Sequence, residues 1–64
     1  MKLNENFKNF RKQKHLEQDE IANILNVNIE KIRRIEQNKS KSIDLELLEK
    51  IKNFFNCSYD DLLK

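Results

Sequence analysis

The sequence predicts an all-α domain of five short helices around one small core. Its 64 residues contain neither Gly nor Pro. Tight hairpins therefore lack their usual turn residue, and disordered or collagen-like classes drop out. Apolar residues recur at steps of three and four, and strict apolar–polar alternation is nowhere sustained. The length leaves room for a single domain, residues 1–64, with one modest core.

The first helix is expected from about Asn4 to Lys14, with Leu3, Phe7 and Phe10 on its buried side. His15 and Leu16 make the following turn, Leu16 as the buried anchor. The second helix is the run QDEIANIL from Gln18, with Ile21, Ala22, Ile24 and Leu25 at helical spacings. Glu17 stands at its N-cap position, where Glu is a poor substitute for Ser, Thr, Asp or Asn, at a cost of about 1 kcal/mol. Asp19 and Glu20 offset part of that cost, because acidic groups suit the first turn of a helix.

The run breaks at Asn26-Val27-Asn28, and a third helix, IEKIRRIEQ, begins at Ile29. Asn26 suits a left-handed helix end, the best choice after Gly, and Asn28 can cap the next helix. Val27 between them is expected to tuck into the core. Two helices this short, joined so tightly, must cross steeply, which is the geometry of a helix-turn-helix unit. Asn38 and Asn56 are expected to end helices in place of Gly as well. After a loop from Asn38 to Ile43, a fourth helix runs from its cap Asp44 to Phe55, with Leu45, Leu48, Ile51 and Phe55 as its core face. A fifth, from about Tyr59 to Leu63, is capped by Ser58.

Charge and composition narrow the function. The net charge is only +2, but Lys and Arg exceed Asp and Glu in residues 1–14 and 29–41, whereas acidic residues prevail in 15–28 and 42–64. Alternating patches of this kind also arise on ordinary solvated helices. One cysteine, Cys57, cannot form an internal disulfide, which fits a cytoplasmic setting. No apolar run approaches the roughly 18 residues of a membrane span, so no membrane partner is expected. His15 lacks a second His or a metal-ligand spacing, and no carboxylate pair, phosphate-cradling loop or nucleophile motif appears. An enzyme is not expected, nor a cofactor or metal.

On a helical wheel of about 100° per residue, Ile32 and Ile35 set the buried side of the third helix. Glu30, Arg33, Arg34 and Gln37 then face outward, Glu36 lies beside the core, and Ile29 borders the outward face. Such a face has the donors and acceptors that base edges require: Arg reads guanine as a bidentate pair, Gln suits adenine, and Glu accepts from cytosine. Ile29 can pack on a thymine methyl group. A salt-bridged surface, with Glu30 and Arg34 as an i,i+4 pair, explains the same residues equally well. Lys39 and Lys41 in the next loop, with Gln18 opening the second helix, tip the balance as contacts to phosphates on both sides of a groove.

The run HLEQDEIANILNVNIEKIRRIEQNK resembles the helix-turn-helix of Cro and phage-repressor type regulators, the Xre-like family. The resemblance covers Phe7 to Leu63. It rests most specifically on Leu16-x-Gln18, on the frame Ile21-Ala22, Leu25, Val27, Ile32 and Ile35-Glu36, and on Asp44-Leu45…Leu48…Ile51…Phe55-Asn56-Cys57-Ser58…Asp61-Leu62-Leu63. It implies a lambda-repressor-like five-helix fold and a transcriptional regulator, acting as a repressor on double-stranded DNA. It also implies that Gln18 binds a phosphate, that Ile29, Glu30 and Arg34 read bases, and that Lys31 or Arg33 lies nearer the backbone. Arg11 is expected to pair with Glu36. The sequence departs from the family at Glu17 and in using Asn where helix-ending glycines are usual. Glu30 is an uncommon base-facing residue.

Regulators of this size usually bind paired half-sites as symmetric dimers. Leu47 and Phe54, with Tyr59 and Leu62, are the expected homodimer patch. The competing class is a protein-interaction module, antitoxin-like or co-regulatory, that uses the same fold to hold a protein partner.

Overall fold

A computed structural model describes residues 2–37 and 44–64. Five helices follow in order: α1 (Leu3–Gln13), α2 (Gln18–Leu25), α3 (Ile29–Glu36), α4 (Leu45–Phe55) and α5 (Tyr59–Leu63). The expected ends hold to within a residue or so. Asn38 lies outside the described residues, as do the lysines of the following loop.

Helix ends are set by side chains the sequence makes legible. Asn26 and Asn56 take the left-handed conformation at φ 58° and 53° and stop α2 and α4. The Asn28 side chain accepts from the Glu30 N–H, and Asp44 accepts from the N–H groups of Glu46 and Leu47. Ser58 and Asp61 close a reciprocal box at the start of α5. At Glu17 the expectation of a weak start needs amendment. The Glu20 carboxylate reaches back to the Glu17 N–H at 2.8 Å, so one otherwise orphaned donor is satisfied.

His15 also adopts a left-handed conformation, at φ 57°, which the sequence did not signal. It follows α1, and its N–H is donated to the Lys12 carbonyl while that of Leu16 reaches Arg11. The chain thereby passes from α1 to α2 through residues 14–17 without Gly. A Cβ in this region costs about 1 kcal/mol.

The core joins Leu3 and Phe7 of α1, Ile21, Ala22 and Leu25 of α2, Ile32 and Ile35 of α3, Leu47, Leu48, Ile51 and Phe55 of α4, and Leu62 of α5. Phe55 is its aromatic hub: Phe7 meets it edge-on at 5.8 Å, Phe10 stacks at 5.3 Å, and Phe54 leans on it at 5.1 Å. Such pairs add about 1 kcal/mol each to the burial of their surface. Helix α3 packs on both α1 and α2, α5 on α1, and α4 on α2. Two polar ties reinforce these contacts. The Asn6 side chain donates to the Leu62 carbonyl at 2.8 Å, and the Lys50 ammonium to the Leu25 carbonyl at 3.4 Å.

Several apolar expectations are corrected. Leu45, expected in the core, is 71% exposed, whereas Leu47, expected at the surface, is 5% exposed. The two residues flank the Leu48–Ile51–Phe55 stripe on opposite sides at nearly equal angles, so periodicity does not separate them. The neighbouring helices cover the Leu47 flank. Leu62 is fully buried because five-residue α5 needs an apolar anchor against the rest of the domain. The expected patch of Leu47, Phe54, Tyr59 and Leu62 is therefore not a surface: Tyr59 is exposed and Phe54 half-buried. Ile24, expected with the apolar face of α2, is exposed too.

These assignments predict that Leu47→Ala costs about 2–4 kcal/mol in urea unfolding. Leu45→Ala should stay within about 0.5 kcal/mol. His15→Gly should raise stability by up to about 1 kcal/mol, since only the left-handed backbone is relieved.

Candidate nucleic-acid interface

The centre of the domain's polar architecture is one carboxylate. Glu36, the last residue of α3, accepts from Arg11 of α1 through both oxygens: Nε to Oε2 at 2.6 Å and Nη2 to Oε1 at 2.9 Å. The pair is almost wholly withdrawn from water, with side chains 9% and 5% exposed. Arg11 Nη1 donates in addition to the Leu16 carbonyl at 2.7 Å, in the turn before α2. Hydrogen bonding to Glu36, opposed by burial, raises the Arg11 pKa above its ordinary value. The guanidinium thus stays charged, and its bidentate geometry fixes both distance and orientation between α1 and α3. This is the pair that the family resemblance implies.

Gln18 completes the group. Its side-chain nitrogen donates to Glu36 Oε1 at 3.2 Å, so α2 is tied to the same carboxylate. Three helices and one turn converge there. The Gln18 side chain is half-buried. Sequence reasoning placed it at a phosphate and missed this bond, because nothing in the sequence spacing signals a contact between side chains 18 positions apart.

Held in this way, α3 buries Ile32 and Ile35 and leaves Glu30, Lys31, Arg33, Arg34 and Gln37 exposed. Ile29 is half-buried at the border, as the wheel places it. Within this face Glu30 pairs with Arg33 at 2.9 Å, an i,i+3 bridge, rather than with Arg34. Both partners are exposed, so the bridge is weak and readily exchanged for another contact. Arg34 makes no ion pair with a described residue. Lys39 and Lys41, the expected phosphate contacts after α3, lie outside the described residues.

The contact between α2 and α3, the turn through Asn26 to the cap Asn28, and the outward polar face of α3 are now all in place. The sequence matches the family described as Helix-turn-helix over residues 7–62, which is nearly its whole length. The chain belongs to the Cro and repressor type helix-turn-helix family. It is a DNA-binding domain of the kind that regulates transcription, and that family is regulatory and not typically enzymatic. Comparison with curated proteins returned no match, and neither did comparison with solved structures.

Other chemistry-bearing residues of this helix-turn-helix domain have quieter surroundings. Cys57 is half-buried before α5, and its thiol faces the Lys52 carbonyl at 4.0 Å. Burial, and then the charge of Asp61, push its pKa up, which keeps the thiol protonated and unreactive. No described helix is long and apolar enough to cross a membrane.

Arg11→Ala strands a buried carboxylate and should cost about 3 kcal/mol in urea unfolding. Glu30→Ala, which breaks only the surface bridge, should cost less than about 1 kcal/mol. Because the Cys57 thiol is raised in the fold, its contribution favours the folded state below the ordinary thiol range and is lost as pH rises through the folded value. Alkylation of native protein by iodoacetamide near pH 8 should accordingly be slower than that of urea-unfolded protein; an equal rate would contradict the burial.

Proposed function

We propose that this regulator is a repressor that lays α3 in the major groove and occludes an operator built from paired half-sites. The observation that carries the reading is the exposed face of α3. Glu30, Arg33, Arg34 and Gln37 stand out from the domain while Glu36, one residue from Gln37, is locked inward by Arg11. The face therefore has a fixed direction and the donors and acceptors that base edges complement.

Arg34 is the leading base contact, since no described partner competes for its guanidinium. Glu30 and Arg33 exchange their mutual bridge for base or phosphate contacts, and Ile29 offers its apolar edge to a thymine methyl group. Gln18, Lys31, Lys39 and Lys41 grip phosphates on either side of the groove. Two copies bind about one DNA turn apart. With Leu47 and Leu62 in the core, the copies are not joined through the expected patch, and pairing is read from the stoichiometry on the duplex. The setting is the cytoplasm, on the nucleoid when bound.

The alternative, a module that binds a protein partner with the same fold, has less use for a cationic, solvent-facing helix. Fluorescence anisotropy separates the two. The duplex spans the region upstream of the protein's own gene, with a scrambled duplex of equal length beside it at low and near-physiological salt. Tight binding to the native duplex alone, with a steep loss on adding salt, is the expected result for an autoregulating repressor. No binding to either duplex at low salt moves the assignment to the protein-binding module.

Arg34→Ala should weaken binding to a selected duplex by about 1–3 kcal/mol and relax preference at one base position. Equal loss on unrelated DNA would contradict a base contact there.

A further inference from the structure

We infer that Glu30 restrains Arg33 and releases it to DNA only where a cytosine amino group takes over the Glu30 carboxylate. The inference rests on the proposed reading of DNA by α3 and names a base that this reading selects. Its basis is a single carboxylate on a cationic face. Of the two acidic residues of α3, Glu36 is withdrawn against Arg11, whereas Glu30 stands exposed among Lys31, Arg33, Arg34 and Gln37. Arg33 Nη1 donates to Glu30 Oε1 at 2.9 Å, and both side chains remain open to a ligand. The Asn28 cap uses the backbone N–H of Glu30, at 3.0 Å, so the carboxylate is not needed to start the helix.

Freed of Glu30, Arg33 would grip a phosphate on any duplex, a contact that carries no sequence information. Glu30 competes with the phosphates for that guanidinium. The carboxylate itself is repelled by phosphates and by acceptors on the base edges. In the major groove guanine presents N7 and O6, adenine N7 beside its amino group, and thymine O4, whereas cytosine presents its N4 amino donor alone. Cytosine is therefore the base that satisfies the carboxylate with no acceptor opposing it. There Glu30 exchanges Arg33 for the N4 donor, and the guanidinium turns to guanine or phosphate. On other bases the bridge persists and Arg33 adds little.

Two plainer effects of Glu30 act alike on every duplex. A carboxylate in the first turn suits the helix dipole, and removing a negative charge strengthens binding to any polyanion. Neither changes the ratio of selected to scrambled affinity. A restraint on Arg33 does change that ratio, and it can do so only while Arg33 is present.

The test uses the whole chain and a duplex selected from a random pool by wild-type protein, against a scrambled duplex of equal length. Wild type, Glu30→Gln, Arg33→Ala and the double variant are titrated on both. Glu30→Gln keeps the shape of the side chain and removes its charge, and both substitutions lie on exposed side chains clear of the Asn28 cap. Glu30→Gln is expected to lower the ratio of selected to scrambled affinity by roughly fivefold, the upper end for an exposed ion pair, mainly by tightening the scrambled complex. In the Arg33→Ala background the same change should tighten the scrambled complex much less. A fresh selection with Glu30→Gln should lose a cytosine that wild type enriches. Equal tightening on both duplexes, with the ratio at its wild-type value, would overturn the selectivity role and leave a plain charge effect. A gain on scrambled DNA that persists in full without Arg33 would overturn the restraint. Failure of wild type to enrich any duplex would instead overturn the DNA reading, and this inference with it.

Discussion

The bidentate bond between Arg11 and Glu36 is the constraint on which the recognition end of the domain depends. Apolar contacts hold α3 against α1 and α2, but they are non-directional and tolerate small rotations. A guanidinium–carboxylate fork does not. With both oxygens of Glu36 engaged, and Gln18 and the Leu16 carbonyl drawn into the same group, the end of α3 has one orientation relative to α1, the intervening turn and α2. Ile32 and Ile35 then define which side is buried, and the side left over is the face proposed to meet DNA. Replacing a buried ion pair by well-packed apolar residues is often neutral or stabilising, so stability alone is a weak account of this pair. In the proposed function its contribution is the direction it imposes on α3.

The absence of Gly and Pro makes the same point about the backbone. Helix ends that glycines usually provide are made here by Asn26 and Asn56, whose short polar side chains tolerate the left-handed conformation, and by His15, which has no such advantage. The cost at His15 lies in the turn that delivers Leu16 to Arg11 and Gln18 to Glu36. A tight turn between α1 and α2 is thus maintained against a local preference, and the tertiary bonds beside it supply the compensation.

Much of this fold was legible in the sequence because each local signal agreed with the next. The three-and-four spacing of apolar residues located the helices, Asp44, Ser58 and Asn28 marked starts, and Asn26 and Asn56 marked stops. The wheel of α3 separated inward Ile32 and Ile35 from outward Arg33 and Arg34. What the sequence did not carry was tertiary. Leu45 and Leu47 sit at nearly equal angles to one stripe, and only the surrounding helices distinguish them. Leu62 looked free for a partner because a wheel cannot show how much apolar surface a five-residue helix must spend on docking itself. The bond from Gln18 to Glu36 joins the two ends of the helix-turn-helix, where no periodicity reaches. Glu30 pairing with Arg33 instead of Arg34 is a choice between adjacent helix positions that spacing alone leaves open.

In the proposed function the outward face of α3, directed by the Glu36 anchor, is where this domain meets DNA. Backbone amide chemical shifts of the whole chain, followed by NMR during titration with the selected duplex, address it residue by residue. The largest changes are expected at Ile29, Glu30, Arg33, Arg34 and Gln37 and at Gln18, with Tyr59 and the exposed start of α4 little affected. Changes concentrated on α4 and α5, with α3 unmoved, would contradict it.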